Sequence, residues 1–159
     1  SDTLTLSLGA RADRVRLDID DDLLADGNNS GDQDFTESSY SAGLNWRYQP
    51  RHGVYATVSN AFETPTFTEL ANPSGAGGFN PDLEPQKALN REIGGRGQLG
   101  DRLFYELALF RVEVRDEITP YELGGRTFYD NAARTRRDGA ELRNYAGMKL
   151  EGHAHPPPS

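Results

Sequence analysis

The chain has 159 residues, 35% apolar and 26% charged, with a formal net charge of -8 and no cysteine. This length suits one domain, and the acidic balance excludes a protein that tracks nucleic-acid phosphates, which needs clustered Lys and Arg. The lack of cysteine removes disulfides, thiol nucleophiles and Cys-based zinc or iron–sulfur sites.

No apolar run of about 18 residues occurs, so no spanning helix is encoded. Membrane β-barrels stay open, because their strands alternate and carry a much weaker hydropathy signal. The start SDTLTLSLGARADR has no basic region followed by an apolar stretch, so no signal peptide is expected there.

The first element runs from Thr3 to about Ile19. Leu4, Leu6, Leu8, Ala10 and Ala12 share one parity, with Thr5, Ser7, Arg11 and Asp13 on the other. Beyond Asp13 the apolar set moves to Val15, Leu17 and Ile19, a switch that predicts a β-bulge near Asp13 or Arg14. Soluble strands rarely reach this length, which favours a strand that crosses a bilayer obliquely and projects beyond it.

In the next segment Tyr40, Ala42, Leu44, Trp46 and Tyr48 alternate with Ser41, Gly43, Asn45, Arg47 and Gln49. Aromatics at both ends match the two interfacial girdles of a membrane barrel. A tight turn at 50–52 leads to Val54, Ala56 and Val58, alternating with Tyr55, Thr57 and Ser59, so the two segments read as a hairpin.

After a long Pro/Gly connection at 63–85, the strand at 86–98 places Asn90, Glu92, Arg96 and Gln98 opposite Leu89, Ile93, Gly95 and Gly97. Arg91 falls on the apolar face, which an interfacial position beside anionic headgroups would accommodate. A turn at 99–101 leads into Leu103, Tyr105, Leu107 and Leu109, and a last strand covers 127–142.

The connections between these six strands run long (20–37), tight, long (63–85), tight, then medium (118–126). Barrels of outer membranes have short turns at one rim and long loops at the other, and a soluble meander has no reason to. The fold class is therefore all-β, an antiparallel up-and-down meander of about six strands.

From about Thr3 to Leu142 the chain resembles the barrel portion of TonB-dependent outer-membrane receptors. The similarity rests on VYATVSNAF followed by Pro65, Thr66, Glu69 and Leu70, then Asn80-Pro81-Asp82-Leu83-x-Pro85 and the Glu-Ile-Gly at 92–94. Asn131 in Tyr-x-Asn-Ala, and Gly139 and Glu141 in Gly-x-Glu-Leu, complete it.

The resemblance implies a piece of a transmembrane barrel of about 22 strands. It implies location in the bacterial outer membrane, contact with its lipid, and uptake of a ferric siderophore or similar metal chelate past a plug. Energy would come from TonB, engaged through an N-terminal region that this sequence lacks. Residues 143–159 stop reading as strand and are expected to form a disordered tail outside the barrel. The chain reads as a fragment, because six strands cannot close such a ring.

Apart from the family, Pro81 suits the second position of a turn opened by Asn80, and Pro85 delays sheet pairing to Gln86. These motif residues are expected to clamp the long loop rather than touch ligand. Arg11, Asn45, Arg47, Glu92 and Arg96 are expected to line the lumen and satisfy one another. Ligand contact is expected from the aromatics of the long loops, Phe67, Phe79, Tyr121 and Tyr129.

Asp26, Asn28, Ser30 and Glu37, with Gly31, match positions of a calcium loop, and Asp32 and Asp34 add oxygens. A solvated acidic loop is the plainer reading, with weak calcium binding as the second. No other cofactor is expected. His153 and His155 fall in the tail, and no nucleophilic or phosphate-cradling arrangement points to an enzyme. The alternative to a transporter piece is a soluble all-β binding module with a calcium-stabilised loop.

Overall fold

The computed structural model describes residues 3–22, 30–75 and 77–146. Six antiparallel strands form one open sheet in chain order: β1 Thr3–Ile19, β2 Gly31–Gln49, β3 His52–Glu63, β4 Gln86–Leu99, β5 Leu103–Leu123 and β6 Arg126–Ala146. Each strand pairs only with its sequence neighbours, and β1 and β6 are the edges.

Unbroken registers carry the side chains in matched rows across the sheet. One row sets Leu6, Leu44, Ala56, Ile93, Leu109 and Ala140 on a common face. Leu4, Trp46, Val54, Leu107 and Leu142 belong to the row below. Leu8 and Leu142 are 74% and 68% exposed, so this apolar face has no protein against it. The opposite, wet face carries Thr5, Asn45, Arg96 and Glu106 and encloses a hollow of about 750 Å³.

The predicted bulge near Asp13 is absent. Pairing runs without interruption from Thr3 opposite Arg47 to Ile19 opposite Gly31. The switch in parity is a change in which face carries the apolar residues, not of backbone. Up to Ala12 the outward side chains are apolar; beyond it Arg14, Arg16 and Asp18 point outward, the inversion expected of a strand that passes from lipid into water. Val15, Leu17 and Ile19 then turn inward, where Leu17 packs on a small core of Phe35, Leu70 and Leu83.

The outward apolar face also ends on the other strands, level across β4 to β6 and rising from β4 to β1. The last outward apolar residue before a charge is Ile93 on β4, Leu109 on β5 and Ala140 on β6. The row through Ala140 meets β1 at Leu6, well short of Ala12. A drop of about 20 Å of strand over about 24 Å of sheet width averages to a slope of about 40°, taken up between β1 and β4. Tilted barrel strands crossing a flat layer have a comparable average inclination. Arg91, on the apolar face by parity, therefore sits at the boundary, with Glu113 2.6 Å away.

The connections separate by rim. The tight turns at 50–51 and 100–102 touch: Gln98 donates its N–H to the Arg51 carbonyl at 3.0 Å, and Arg51 pairs with Asp101 at 3.2 Å. The long connections gather at the other rim. The expected medium loop at 118–126 is instead strand. β5 and β6 continue to a two-residue turn whose Gly124 and Gly125 both have positive φ, 60° and 77°, as the tightest hairpin turn requires. β2 likewise begins at Gly31, inside the expected first loop, and β6 extends past Leu142 to Ala146. Residues 147–159, with His153 and His155, lie outside the described residues.

Candidate functional site

At the long-loop rim three separate sequence motifs meet. Pro65 and Thr66 open a single helical turn: the Glu69 carboxylate accepts from the Thr66 N–H at 2.8 Å and from its hydroxyl at 2.9 Å, while the Leu70 N–H donates to the Thr66 carbonyl. This is one half of a capping box, the Glu69 carboxylate reaching back to satisfy two donors at the turn's entrance. It delivers Leu70, fully buried, into the core beside Phe35 and Leu83.

The chain then leaves and returns through a bridge between Ala71 and Phe79, closed by the Asn80 N–H on the Leu70 carbonyl at 2.8 Å. Asn80 is 8% exposed, and its side-chain oxygen accepts the Asp82 N–H at 3.1 Å, across Pro81. That Asx turn places Leu83 in the core and buries Pro85 where β4 begins.

Asn131, on β6, closes the assembly. Its amide oxygen accepts the Glu84 N–H at 2.7 Å, and its amide nitrogen donates to the Glu84 carbonyl at 2.9 Å and the Asp116 carbonyl at 2.7 Å. Asp116 is a bulge residue with φ of 54°, a left-handed conformation costly for a residue with a side chain. One amide thus secures both the returning loop and the bulge. Tyr129 and Ile118 pack on the same core.

The motif glycines act lower down, on the wet face. Gly94 faces Tyr55 and Gly139 faces Phe110 in register, and in each case the ring lies where a Cβ would stand. Lying over Gly94 brings the Tyr55 hydroxyl to 2.6 Å from Glu92. A small recess there is lined by Glu92, Glu106, Phe110, Glu141 and Arg143, with Glu141 and Arg143 paired at 3.1 Å. Arg11 pairs with Asp13 at 2.7 Å and Arg47 donates to Thr3 at 3.1 Å, so wall residues hold one another.

The four loop aromatics divide. Phe79 and Tyr129 pack on the core, whereas Phe67 and Tyr121 are 51% and 38% exposed. Phe67 lies 6.1 Å from Phe79, and Tyr121 lies 6.2 Å from Phe128, a buried residue that the sequence reading passed over. Arg126 sits 5.5 Å from the Phe128 ring centre. The two exposed rings thus stand on the rim's surface in two separate aromatic pairs.

The acidic oxygens do not converge. Asp32 and Asp34 point outward from β2 and pair with Arg16 and Arg14, at 3.7 and 2.9 Å. Glu37 has the opposite parity and pairs with Lys87 at 2.9 Å. Ser30 accepts the Asp21 N–H, and Asp26 and Asn28 lie outside the described residues. Among the described residues no group of three or more His, Asp or Glu is arranged to hold a metal. A strand cannot present both parities to one ion, so Asp32 and Asp34 on one side of β2 and Glu37 on the other do not face one point together.

A family model described as TonB dependent receptor-like, beta-barrel, matches residues 1–152. The chain is 34% identical over 96 residues to the vitamin B12 transporter BtuB of Vibrio vulnificus, covering 58% of this chain and 13% of that protein. It is 28% identical over 151 residues to lactoferrin-binding protein A of Neisseria meningitidis, covering 92% of this chain and 15% of that protein. Among solved structures, the copper transporter OprC superposes with a TM-score of 0.73 at 22% identity, over 92% of this chain and 24% of that one. The FrpB iron transporter of Neisseria meningitidis gives 0.67 at 18% identity, over 92% and 21%. The chain thus spans a small part of the length of the relatives it matches.

Proposed function

The chain belongs to the β-barrel family of TonB-dependent receptors, and from that premise we propose that it forms a section of the wall of a bacterial outer-membrane active transporter for a ferric siderophore or similar metal chelate. Its relatives are transporters and receptors, not enzymes. The observation that carries the reading is the outward apolar face ending in a tilted line of charges, which only a wall between lipid and water needs.

In this reading the apolar rows contact lipid and the wet face contacts plug and water. The long-loop rim faces outside, where Phe67, Tyr121 and Arg126 meet the chelate. Energy reaches the transporter from TonB through a region beyond this chain. Relatives named for vitamin B12, copper and iron transport support a scarce nutrient as cargo. A soluble calcium-stabilised module has no comparable support, since its donors are divided between two faces and its apolar residues point out.

The test is accumulation of a radiolabelled ferric siderophore by cells carrying the intact receptor. Accumulation lost on deleting the receptor, and lost again when TonB is removed, is expected. Uptake unchanged by either deletion would refute the proposal.

A further inference from the structure

The β2–β3 ladder ends at Ser41 opposite Ser59, although both strands continue, β2 up to Gly31 and β3 up to Glu63. Beyond that pair β2 is laddered on one side only, to β1, and β3 only to β4. Asn60 takes the place of backbone at the parting. Its side-chain oxygen accepts the Tyr40 N–H at 2.5 Å, and its amide nitrogen donates to the Ser38 carbonyl at 2.9 Å. Residues 38 and 40 therefore turn their backbone groups away from β1, and by alternation so do 36, 34 and 32.

Lys87 spans the seam to Glu37 at 2.9 Å, just below Thr36. Above it, no backbone bond among the described residues closes the β2 edge. The Asp32 and Asp34 carboxylates, which could repel an incoming strand, are drawn towards β1 by Arg16 and Arg14, at 3.7 and 2.9 Å. The edge that β5 presents above β4 is treated differently. There the Ile118 N–H faces the Gln86 side chain, so Pro120 shares that side, and it has no N–H to offer. Proline is a usual guard against strand addition at an edge, and β2 has none between Gly31 and Tyr40.

We propose that the β2 edge from Asp32 to Thr36 is a docking site for an extended polypeptide segment, which adds as a strand beside β2. The added strand continues the β2–β3 ladder past Asn60, so its register is set by groups already in place. Main-chain bonds at 32, 34 and 36 supply the affinity, because a peptide backbone repeats donors and acceptors at that spacing. Its side chains alternate, one set outward beside Asp34 and Thr36, the other inward beside Phe35 of the buried core. A segment of alternating polar and apolar residues fits both. The site takes a peptide rather than the chelate, so it stands or falls apart from the uptake test.

The test follows hydrogen exchange at single amides of the intact receptor, with and without a millimolar peptide of about seven residues that alternates threonine and valine. Without peptide, amides 32, 34 and 36 should exchange faster than 33 and 35, which face β1. The peptide should slow 34 and 36 about tenfold and leave Glu122, on the Pro120 edge, unchanged. Thr36→Pro removes one edge donor while keeping the β1 ladder, and should abolish the slowing. Slowing that survives in Thr36→Pro, or no slowing in the wild type, would overturn the site. So would amides 32, 34 and 36 protected as strongly as 33 and 35 before any peptide is added, a wild-type comparison that holds even if the proline variant fails to assemble.

Discussion

Gly94 and Gly139 owe their place to rings on neighbouring strands, a role invisible without the register. A methyl at Gly94 would collide with Tyr55 and push its hydroxyl off Glu92. We expect Gly94→Ala to cost the intact receptor about 1–3 kcal/mol in urea unfolding, with Tyr55→Ala restoring most of the loss in the double variant. Asn131 is the second such residue. Its partners lie 47 and 15 positions away, so no local pattern exposes it. Asn131→Ala leaves three backbone groups without their partner, and limited proteolysis should then cut within 64–85 several-fold faster. Unchanged cleavage would remove the clamp.

One residue pair also has a pH signature. The hydrogen bond from Arg14 holds the Asp34 carboxyl below its ordinary value. A depressed carboxyl stabilises the fold above the unfolded pKa and loses that contribution as pH falls through the folded one. Amide protection in the outer part of β1, measured against intrinsic exchange at each pH, should therefore fall on acidification below about pH 4. In Asp34→Asn that pH dependence should vanish.

At the scale of elements, alternation was legible and its interruptions were misread. Periodicity placed all six strands, because half-buried strands write their two faces directly into sequence. The parity switch at Asp13 looked like a bulge because a bulge is the usual cause within one solvent; here the solvent changes and the backbone does not. The hairpin tip reads as a loop in the sequence because Pro120, Gly124 and Gly125 resemble linker composition, although β5 continues through Pro120 near its tip. Of the calcium-spaced oxygens, those on β2 divide between two faces because a strand separates odd from even positions. The same logic predicts opposite outcomes for one substitution at neighbouring sites. Leu6→Arg should destabilise the receptor by about 2–4 kcal/mol, whereas Ser7→Arg, on the wet face, should cost little. Similar costs at both positions would mean that the faces are not distinguished by lipid.

For the whole molecule, the claim is that the sheet lies obliquely across a lipid layer whose outer surface is recorded in the line from Ala12 to Ala140. The family follows from motifs, but this line needs the pairing of all six strands. Since this section has no cysteine, single cysteines can be placed along β1 from Leu4 to Ile19 of the intact receptor, with any cysteine elsewhere in it replaced by serine, and spin-labelled in bilayers. Accessibility to oxygen, which partitions into lipid, should peak at positions 4, 6, 8, 10 and 12. Accessibility to a water-soluble nickel reagent should then appear at 14, 16 and 18, with 15, 17 and 19 shielded from both. An oxygen pattern that kept its parity through position 18, or one with no alternation below 12, would contradict the account.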